Sequence, residues 1–346
     1  VVGHPGADVV AICGRRAEPA KELADRWSIP AWYTDPDRML AEAALDAVIV
    51  ATANDSHHPL TLAALAAGAD VLCEKPLGLD QAQAEEMADA AARAGAITMV
   101  PFTYRYMPMV QWMKRLIDDG YIGTPRQISG RYFTSFGMDG EYAWRFDRTY
   151  AGSGIIGDLG SHLVHLARWL IDDGEASVSA TTERFVERGP RPDGSDYEPL
   201  EDTAVLAIRY RSGAIGVLHA SAACWEGATE FGQLQELDVH GDAGTLHARC
   251  DWESVQEVRG SRRGEGIPQI LPIPDDLWGD LRRHPVGDTY RDVFRTTSAM
   301  TRAWVEAVAA GTAIQPDLAE GLAVQRVLDA AVASGRTGGC PVTIEP

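Results

Sequence analysis

The chain reads as an α/β domain followed by an α+β domain: a doubly wound parallel sheet over residues 1–103, then a large, mostly antiparallel sheet with helices over residues 104–346. Three observations predict this order. Short apolar runs alternate with helical stretches as far as Met99, longer β-rich segments follow Tyr104, and turn-type links join several of those segments. Parallel strands covered on both faces read as unbroken apolar runs, and helices between them make βαβ units.

The first eight residues are turn-like, and Val9–Cys13 is the first strand. Further strands are predicted at Ala47–Ala51, Val71–Cys73 and Ile97–Val100, with helices at Pro19–Trp27, Met39–Ala44, Pro59–Ala67 and Gln81–Arg93. Gly68 and Gly95 fall where helices stop, because glycine accepts the left-handed C-terminal conformation. A helix over Met109–Gly120 then leads into strands at Gln127–Phe136, Ser177–Glu187, Asp202–Tyr210, Ala214–Ala222, Gln235–Gly241 and Gly244–Asp251. Arg211-Ser212-Gly213 and Asp242-Ala243-Gly244 are links suited to antiparallel hairpins. One helix, Asp158–Ile171, separates the first two of these strands, and Arg259–Thr289 reads as a long irregular loop. Helices at Met300–Ala310 and Leu318–Ser334 close the chain and are placed to pack back on the first domain.

Composition narrows the function. Hydrophobic residues make 45% and charged residues 23% of the 346, an ordinary folded mix. Lys+Arg 31 against Asp+Glu 50 gives a net charge of −19. Such a surface repels phosphate backbones, and no basic patch offsets it, so nucleic acid is not an expected partner. No stretch approaches the roughly 20 apolar residues that cross a bilayer. Cys13, Cys73, Cys224, Cys250 and Cys340 are odd in number and form no CxxC pair, so reduced thiols are expected, with no disulfide framework and no metal. A cytoplasmic enzyme or binding protein is the expectation. No signal peptide is visible, and a truncated start would leave an export signal open.

Three clusters carry chemistry. Gly14-Arg15-Arg16 follows the first strand, where an acidic residue binds the adenosine ribose and arginine accommodates a 2′-phosphate. Two arginines there favour NADP(H) over NAD(H), although arginines are also common surface residues. Asn54-Asp55-Ser56-His57 and Glu74-Lys75-Pro76 each follow a buried strand, at the sheet edge where open α/β folds bind ligands. Ser56 or Asp55 also suits a helix cap, and a lysine is most often surface decoration. Lys75 at this place can polarise a substrate hydroxyl. Asp158 and His162 stand four apart, hence on one face of a helix, with His165 a turn further on. Leu159, Leu163, Leu166 and Leu170 form the neighbouring apolar stripe. A carboxylate beside a histidine at a buried face makes a general base; the simpler reading is a helix-starting aspartate and an incidental histidine. Gly152-Ser153-Gly154 allows close backbone approach and favours the functional reading.

These clusters, in this order, resemble the Gfo/Idh/MocA oxidoreductases. The resemblance runs through Asn54–His57, Ala67–Pro76, Tyr104-Arg105-Tyr106 with Pro108, Ala151–Gly154, Asp158–His162 and Glu201-Asp202-Thr203-Ala204, nearly the whole chain. It implies a Rossmann-type first domain, a nicotinamide cofactor, and hydride transfer to or from a carbon of a sugar, cyclitol or related polyol. It implies Lys75, Asp158 and His162 as catalytic residues. Asn54, His57, Glu74, Lys75, Arg105 and Arg145 would be cofactor contacts beside Gly14, Arg15 and Arg16, and Tyr104 and His165 substrate contacts. Members associate through the open face of the large sheet, so a homodimer or homotetramer is expected. The family opens with a strand and a glycine-rich turn that this sequence does not begin with, so as written it is expected to bind cofactor poorly and to be truncated. Ala53 replaces the usual proline, and His165 stands where many members carry aspartate.

Two alternatives belong to other classes. A non-catalytic dinucleotide- and sugar-binding regulator of the same fold has no need of an acid–base pair. An NAD-dependent glycosidase departs from the Glu-Lys-Pro pattern. Trp225, Trp252 and Trp278 can stack on a sugar ring or serve as core.

Overall fold

The computed structural model describes residues 2–225 and 232–345. They form two compact units: the chain up to Pro101 with Ser298–Leu322, and Phe102–Thr297 with the chain from Ala323 on.

In the first unit every strand pairing is parallel. Strands β1 (Ala11–Cys13) and β2 (Ala31–Tyr33) pair with each other, and β3 (Ala47–Val50), β4 (Asp70–Cys73) and β5 (Thr98–Met99) form a second ladder in that order. Between them run helices α1 (Ala17–Trp27), α2 (Pro36–Glu42), α3 (His57–Ala66) and α4 (Gln81–Ala94). Val71, Cys73, Met87 and Met99 are fully buried, as the unbroken apolar runs require. The helix expected at Met39–Ala44 starts earlier, because the Asp35 carboxylate accepts the Asp37 and Arg38 N–H groups and Pro36 takes the first position. Strand β2 escaped the sequence reading: three residues carry no measurable period.

The second unit opens with α5 (Pro108–Asp118) and is built on nine strands. These are β6 (Pro125–Thr134), β7 (Glu175–Glu183), β8 (Thr203–Tyr210), β9 (Ile215–Ser221), β10 (Gln233–Gly241), β11 (Gly244–Cys250), β12 (Gln256–Arg262), β13 (Gln269–Ile270) and β14 (Val342–Thr343). Their order is β13-β12-β11-β10-β6-β9-β8-β7-β14. All neighbours are antiparallel except β6 and β9. The hairpins expected at 211–213 and 242–244 join β8 to β9 and β10 to β11.

Arg259–Thr289 is not the irregular loop expected. It contains the end of β12, all of β13, α8 (Asp275–Trp278) and the start of the helix at Val286–Arg291. Polar side chains on the outward face of β12 hid the strand. Inside, Gly260 leaves room for its neighbours: a Cβ there would stand 2.7 Å from Leu271 Cδ1 and 2.8 Å from Leu246 Cδ2, so those side chains would have to shift. Helices at Ala299–Ala310 and Leu318–Arg336 follow. Within the first unit, Trp304 Nε1 donates to the Ile97 carbonyl at 3.2 Å, and the Val100 N–H to that of Pro316 at 2.9 Å. Among the described residues, no helix is long and apolar enough to cross a membrane.

Candidate active site

In the first unit the Gly14 N–H donates to the Tyr33 carbonyl (3.1 Å), carrying the β1–β2 ladder one residue past Cys13. The chain then leaves the sheet with Arg15 and Arg16 exposed. Arg16 is extended (φ −121°, ψ 131°) ahead of α1, whose first turn has no side-chain cap. An open groove of about 270 Å³ lies here, lined by Ile12, Cys13, Gly14, Arg15, Arg16, Pro19, Ala20 and Leu23. A lining of apolar residues together with two arginines suits a flat apolar group carrying an anion.

At the ends of β3 and β4 the chain crosses two short loops. Asn54 is 5% exposed in a single 3-10 turn, Asn54–Ser56. Ser56 does not cap α3; its hydroxyl donates back to the Ala53 carbonyl at 2.9 Å and lies 2.8 Å from Thr52 Oγ1, whose own hydroxyl can donate to it. His57 is wholly buried, with Nδ1 2.9 Å from the Pro76 carbonyl and Nε2 3.2 Å from that of Thr52. Both ring nitrogens thus face protein carbonyls, and burial pushes the imidazole below its ordinary pKa. His57 therefore ties the Asn54 loop to the Glu74-Lys75-Pro76 loop and presents no ring atom to a cofactor, which corrects that expectation. The Glu74 N–H bonds the Val50 carbonyl at 2.9 Å, and its carboxylate accepts the Lys75 N–H at 3.1 Å. Beyond the loop, Asp80 caps α4 through the Gln83 N–H (2.9 Å), while Gln83 Oε1 accepts the Leu79 N–H (3.1 Å).

In the second unit Asp158 and His162 do not share one α-helix from its start. Ile156–Gly160 is a π-helical turn, and the α-helix α7, Ser161–Ile171, begins at its end. (The short α6, Arg148–Ala151, precedes it.) Such wide turns occur mostly as single turns at functional positions. Glu201 holds this one: its Oε1 accepts the Gly154 N–H at 2.8 Å and the Ile156 N–H at 3.3 Å, and its carbonyl the Ile155 N–H at 3.0 Å. Burial pushes the Glu201 carboxyl upward, against the pull of those N–H groups. The Glu201-Asp202 pair was legible as a motif but gave no hint of this role. Downstream, Leu163, Leu166 and Leu170 are buried, each contributing about 1.5–3 kcal/mol. Leu163 Cδ2 reaches within 3.3 Å of where a Cβ on Gly130 would stand, so α7 lies directly on β6.

Asp158 Oδ2 is 3.4 Å from Arg145 Nε, and the Arg145 guanidinium lies 4.7 Å from the Trp144 ring centroid. Arg145 thus partners the acid. Arg105 stacks on Trp169 of α7, 4.5 Å from its ring centroid. His162 is 6% exposed and stands edge-on to Tyr104, with centroids 4.6 Å apart. His165 is 1% exposed and stacked face to face on Phe102 at 4.2 Å. It packs in the core against Phe102, and the structure shows no surface of it open to a substrate.

Tyr104 anchors an aromatic wall that sequence reasoning missed. Its ring meets those of Tyr132 at 5.4 Å, Trp252 at 5.7 Å and Phe294 at 5.9 Å, and Tyr290 packs on Trp252 at 4.9 Å and on Phe294 at 4.4 Å. Apart from Tyr290 and Phe294, which stand four residues apart, these rings are far apart in sequence and no period connects them. The Tyr132 hydroxyl donates to Gln233 Oε1 at 2.8 Å, so its bond with the Tyr104 hydroxyl must be donated by Tyr104. Burial pushes the Tyr104 phenol well above its ordinary pKa, so it stays protonated. Tyr104 therefore offers a lone pair only.

Tyr290 lies on α9 (Val286–Arg291), and Phe294 on the π-helical turn that follows, Asp292–Thr296. Arg282 holds Asp292 through Nη2–Oδ1 at 2.6 Å and Nε–Oδ2 at 2.9 Å, and lowers its carboxyl to about 2. A depressed carboxylate stabilises the fold fully above its ordinary pKa of 3.8, and that stabilisation is lost as pH falls through about 2. Asp292→Asn is expected to abolish this limb of an acid titration followed by near-UV circular dichroism; an unchanged acid limb would contradict the assignment.

Comparison with known proteins identifies the family of the chain. Residues 1–102 match an oxidoreductase family with an NAD-binding Rossmann fold, and residues 110–247 match the Gfo/Idh/MocA C-terminal domain. The chain is 26% identical over 335 residues to the levoglucosan dehydrogenase of Pseudarthrobacter phenanthrenivorans, covering 92% of this chain and 85% of that one. It is 31% identical over 277 residues to the 1,5-anhydro-D-fructose reductase of Ensifer adhaerens, covering 79% and 78%. The crystal structure of an oxidoreductase domain protein from Kribbella flavida superposes with a TM-score of 0.82 at 30% identity, covering 97% and 91%. The chain belongs to the Gfo/Idh/MocA oxidoreductase family. It is an enzyme of the nicotinamide-dependent dehydrogenase and reductase class.

Proposed function

We propose that this enzyme transfers a hydride between NADP(H) and a ring carbon of a sugar, cyclitol or related polyol. The observation that carries the reading is the buried His162 on the helix that the π-turn of Asp158 leads into, beside an aromatic wall. The bound nicotinamide supplies the hydride acceptor or donor. In oxidation His162 takes the hydroxyl proton, and Asp158 stabilises the resulting imidazolium. Lys75, by its likeness to the family's catalytic lysine, polarises the substrate oxygen. Asn54 and Glu74, at the carboxyl ends of β3 and β4, and Arg15 and Arg16, at the groove, would hold the cofactor. The polyol class is supported by the names of the sugar-acting relatives.

Arginine at a strand end that usually carries an acid supports NADP(H) over NAD(H). Titration of NADPH and NADH, followed by nicotinamide fluorescence, tests this. The wild type should bind NADPH more tightly. Arg15→Ala/Arg16→Ala should lose roughly 10–100-fold in NADPH affinity, as charge-assisted hydrogen bonds are removed, with little change for NADH. Equal or tighter NADH binding by the wild type would contradict the phosphate reading and leave the oxidoreductase class standing.

A further inference from the structure

Three buried or half-buried indoles in this protein have partners. Trp112, Trp278 and Trp304 each donate Nε1–H to a backbone carbonyl at 3.2 Å. Trp252 does not: its Nε1 is buried and has no hydrogen-bond partner. A buried indole N–H without an acceptor is uncommon, and such a group in a native structure asks for an explanation. Its backbone is uncommon too. Trp252 has φ +62°, a left-handed conformation that residues with a Cβ disfavour. Asp251 holds it there, accepting the N–H groups of Glu253, Ser254 and Val255 at 3.0, 2.8 and 2.8 Å. Strain of this kind persists where the surroundings over-determine it, most often at binding sites.

That conformation sends the indole to the wall beside His162, edge-on to Tyr290 and tilted against Tyr104. On the same wall the Tyr104 hydroxyl is an acceptor only, because its proton goes to Tyr132. Trp252 contributes a donor, Tyr104 an acceptor, and the surrounding ring surfaces are apolar. This set matches a rigid ring with neighbouring hydroxyls and a C–H face.

We propose that Trp252 is a specificity residue, whose indole N–H donates to a ring hydroxyl of a cyclic polyol held against the Tyr104–Tyr290 wall. The proposal rests on the oxidoreductase reading above and adds the recognising group. A cyclitol or pyranose ring fills such a wall, whereas an open-chain polyol must first be ordered.

The test uses the holoenzyme with myo-inositol, levoglucosan and the open-chain polyol sorbitol as probes. With a cyclic probe that the wild type oxidises, Trp252→Phe, which keeps a ring and loses the N–H, should raise KM about tenfold with kcat within about twofold. An unchanged KM would overturn the proposal and leave the oxidoreductase reading intact. The same probes are titrated against the indole N–H resonances of ¹⁵N-labelled protein, with the Trp252 signal assigned by its loss in Trp252→Phe. A shift of that signal with a cyclic probe but not with sorbitol supports the proposal even if no reduced cofactor forms, which is the result that would defeat the oxidoreductase reading alone. A Trp252 signal that stays fixed with every probe overturns it, whatever else in the spectrum moves.

Discussion

His162→Asn is expected to lower kcat by roughly 10²–10⁴-fold, the range that general acid–base catalysis contributes. Asparagine is smaller but can still hydrogen-bond, and it cannot take the hydroxyl proton. The ring stands at the edge of Tyr104 and is 6% exposed, so some local packing is lost with it. Leu163, Leu166 and Leu170 continue to anchor α7 on the sheet. The loss of turnover should fall on kcat, with KM within a few-fold and the thermal midpoint lowered only modestly. The limb of the pH–rate profile that reports the histidine should disappear. Steady-state rates across pH measure this directly. Retention of more than about a tenth of the wild-type kcat would remove His162 from the proton-transfer role.

Gly154→Ala is expected to be among the most destabilising small substitutions in the chain. A Cβ there would lie 2.2 Å from the Glu201 carbonyl oxygen, 2.9 Å from Leu200 Cβ and 3.1 Å from the Glu201 nitrogen. Two of these atoms are backbone, so no rotamer change relieves the overlap. Either the 152–156 turn or the chain entering β8 must move, and the three hydrogen bonds that Glu201 makes to residues 154–156 move with it. A cost of roughly 3 kcal/mol or more follows. Because the π-helical turn that follows carries Asp158, whose N–H donates to the Gly154 carbonyl at 3.0 Å, kcat should fall along with stability. Gly160→Ala is the contrast: its Cβ would sit 3.5 Å from the Ile155 carbonyl oxygen, an ordinary contact. In a helical position that exchange should be neutral or stabilising by up to roughly 1 kcal/mol. Thermal unfolding and turnover of the two variants together check the argument, and equal stability would contradict it.

Much of this arrangement could be read from the chain. The βαβ order was visible because parallel strands leave unbroken apolar runs such as Ala47–Val50 and Val71–Cys73, although only the second is buried throughout and Ile49 in the first is 43% exposed. The hairpins were visible because Gly213 and Gly244 stand at or beside the turns. Lys75, Asp158 and His162 stood out as chemistry-bearing types at strand ends and at helical spacing. Other features have no local signature. The π-helical turn of Ile156–Gly160 breaks the four-residue arithmetic that the sequence invites, and what stabilises it, Glu201, lies some 45 residues downstream. His57 looked like a cofactor contact because it sits in the right loop; only its two carbonyl partners identify it as a clamp. His165 had the expected spacing, and its ring lies buried on Phe102. The aromatic wall gathers Tyr104, Tyr132, Trp252 and the Tyr290–Phe294 pair from four separate segments, so no window of sequence contains it.

The central claim is net hydride transfer between a nicotinamide and a carbon of a polyol. The most direct test is to incubate the enzyme with NADP⁺ or NAD⁺ and a panel of anhydrosugars, aldoses and cyclitols deuterated at the ring carbons. Deuterium is then sought at C4 of the reduced cofactor. The account predicts that reduced cofactor accumulates in proportion to the ketone or lactone formed, carrying deuterium from a single carbon. Tight cofactor and sugar binding with no deuterium in the nicotinamide ring would contradict it and define a non-catalytic binding protein. Release of a free sugar from a glycoside without any accumulation of reduced cofactor would contradict it in another way, assigning the hydride to an internal cycle.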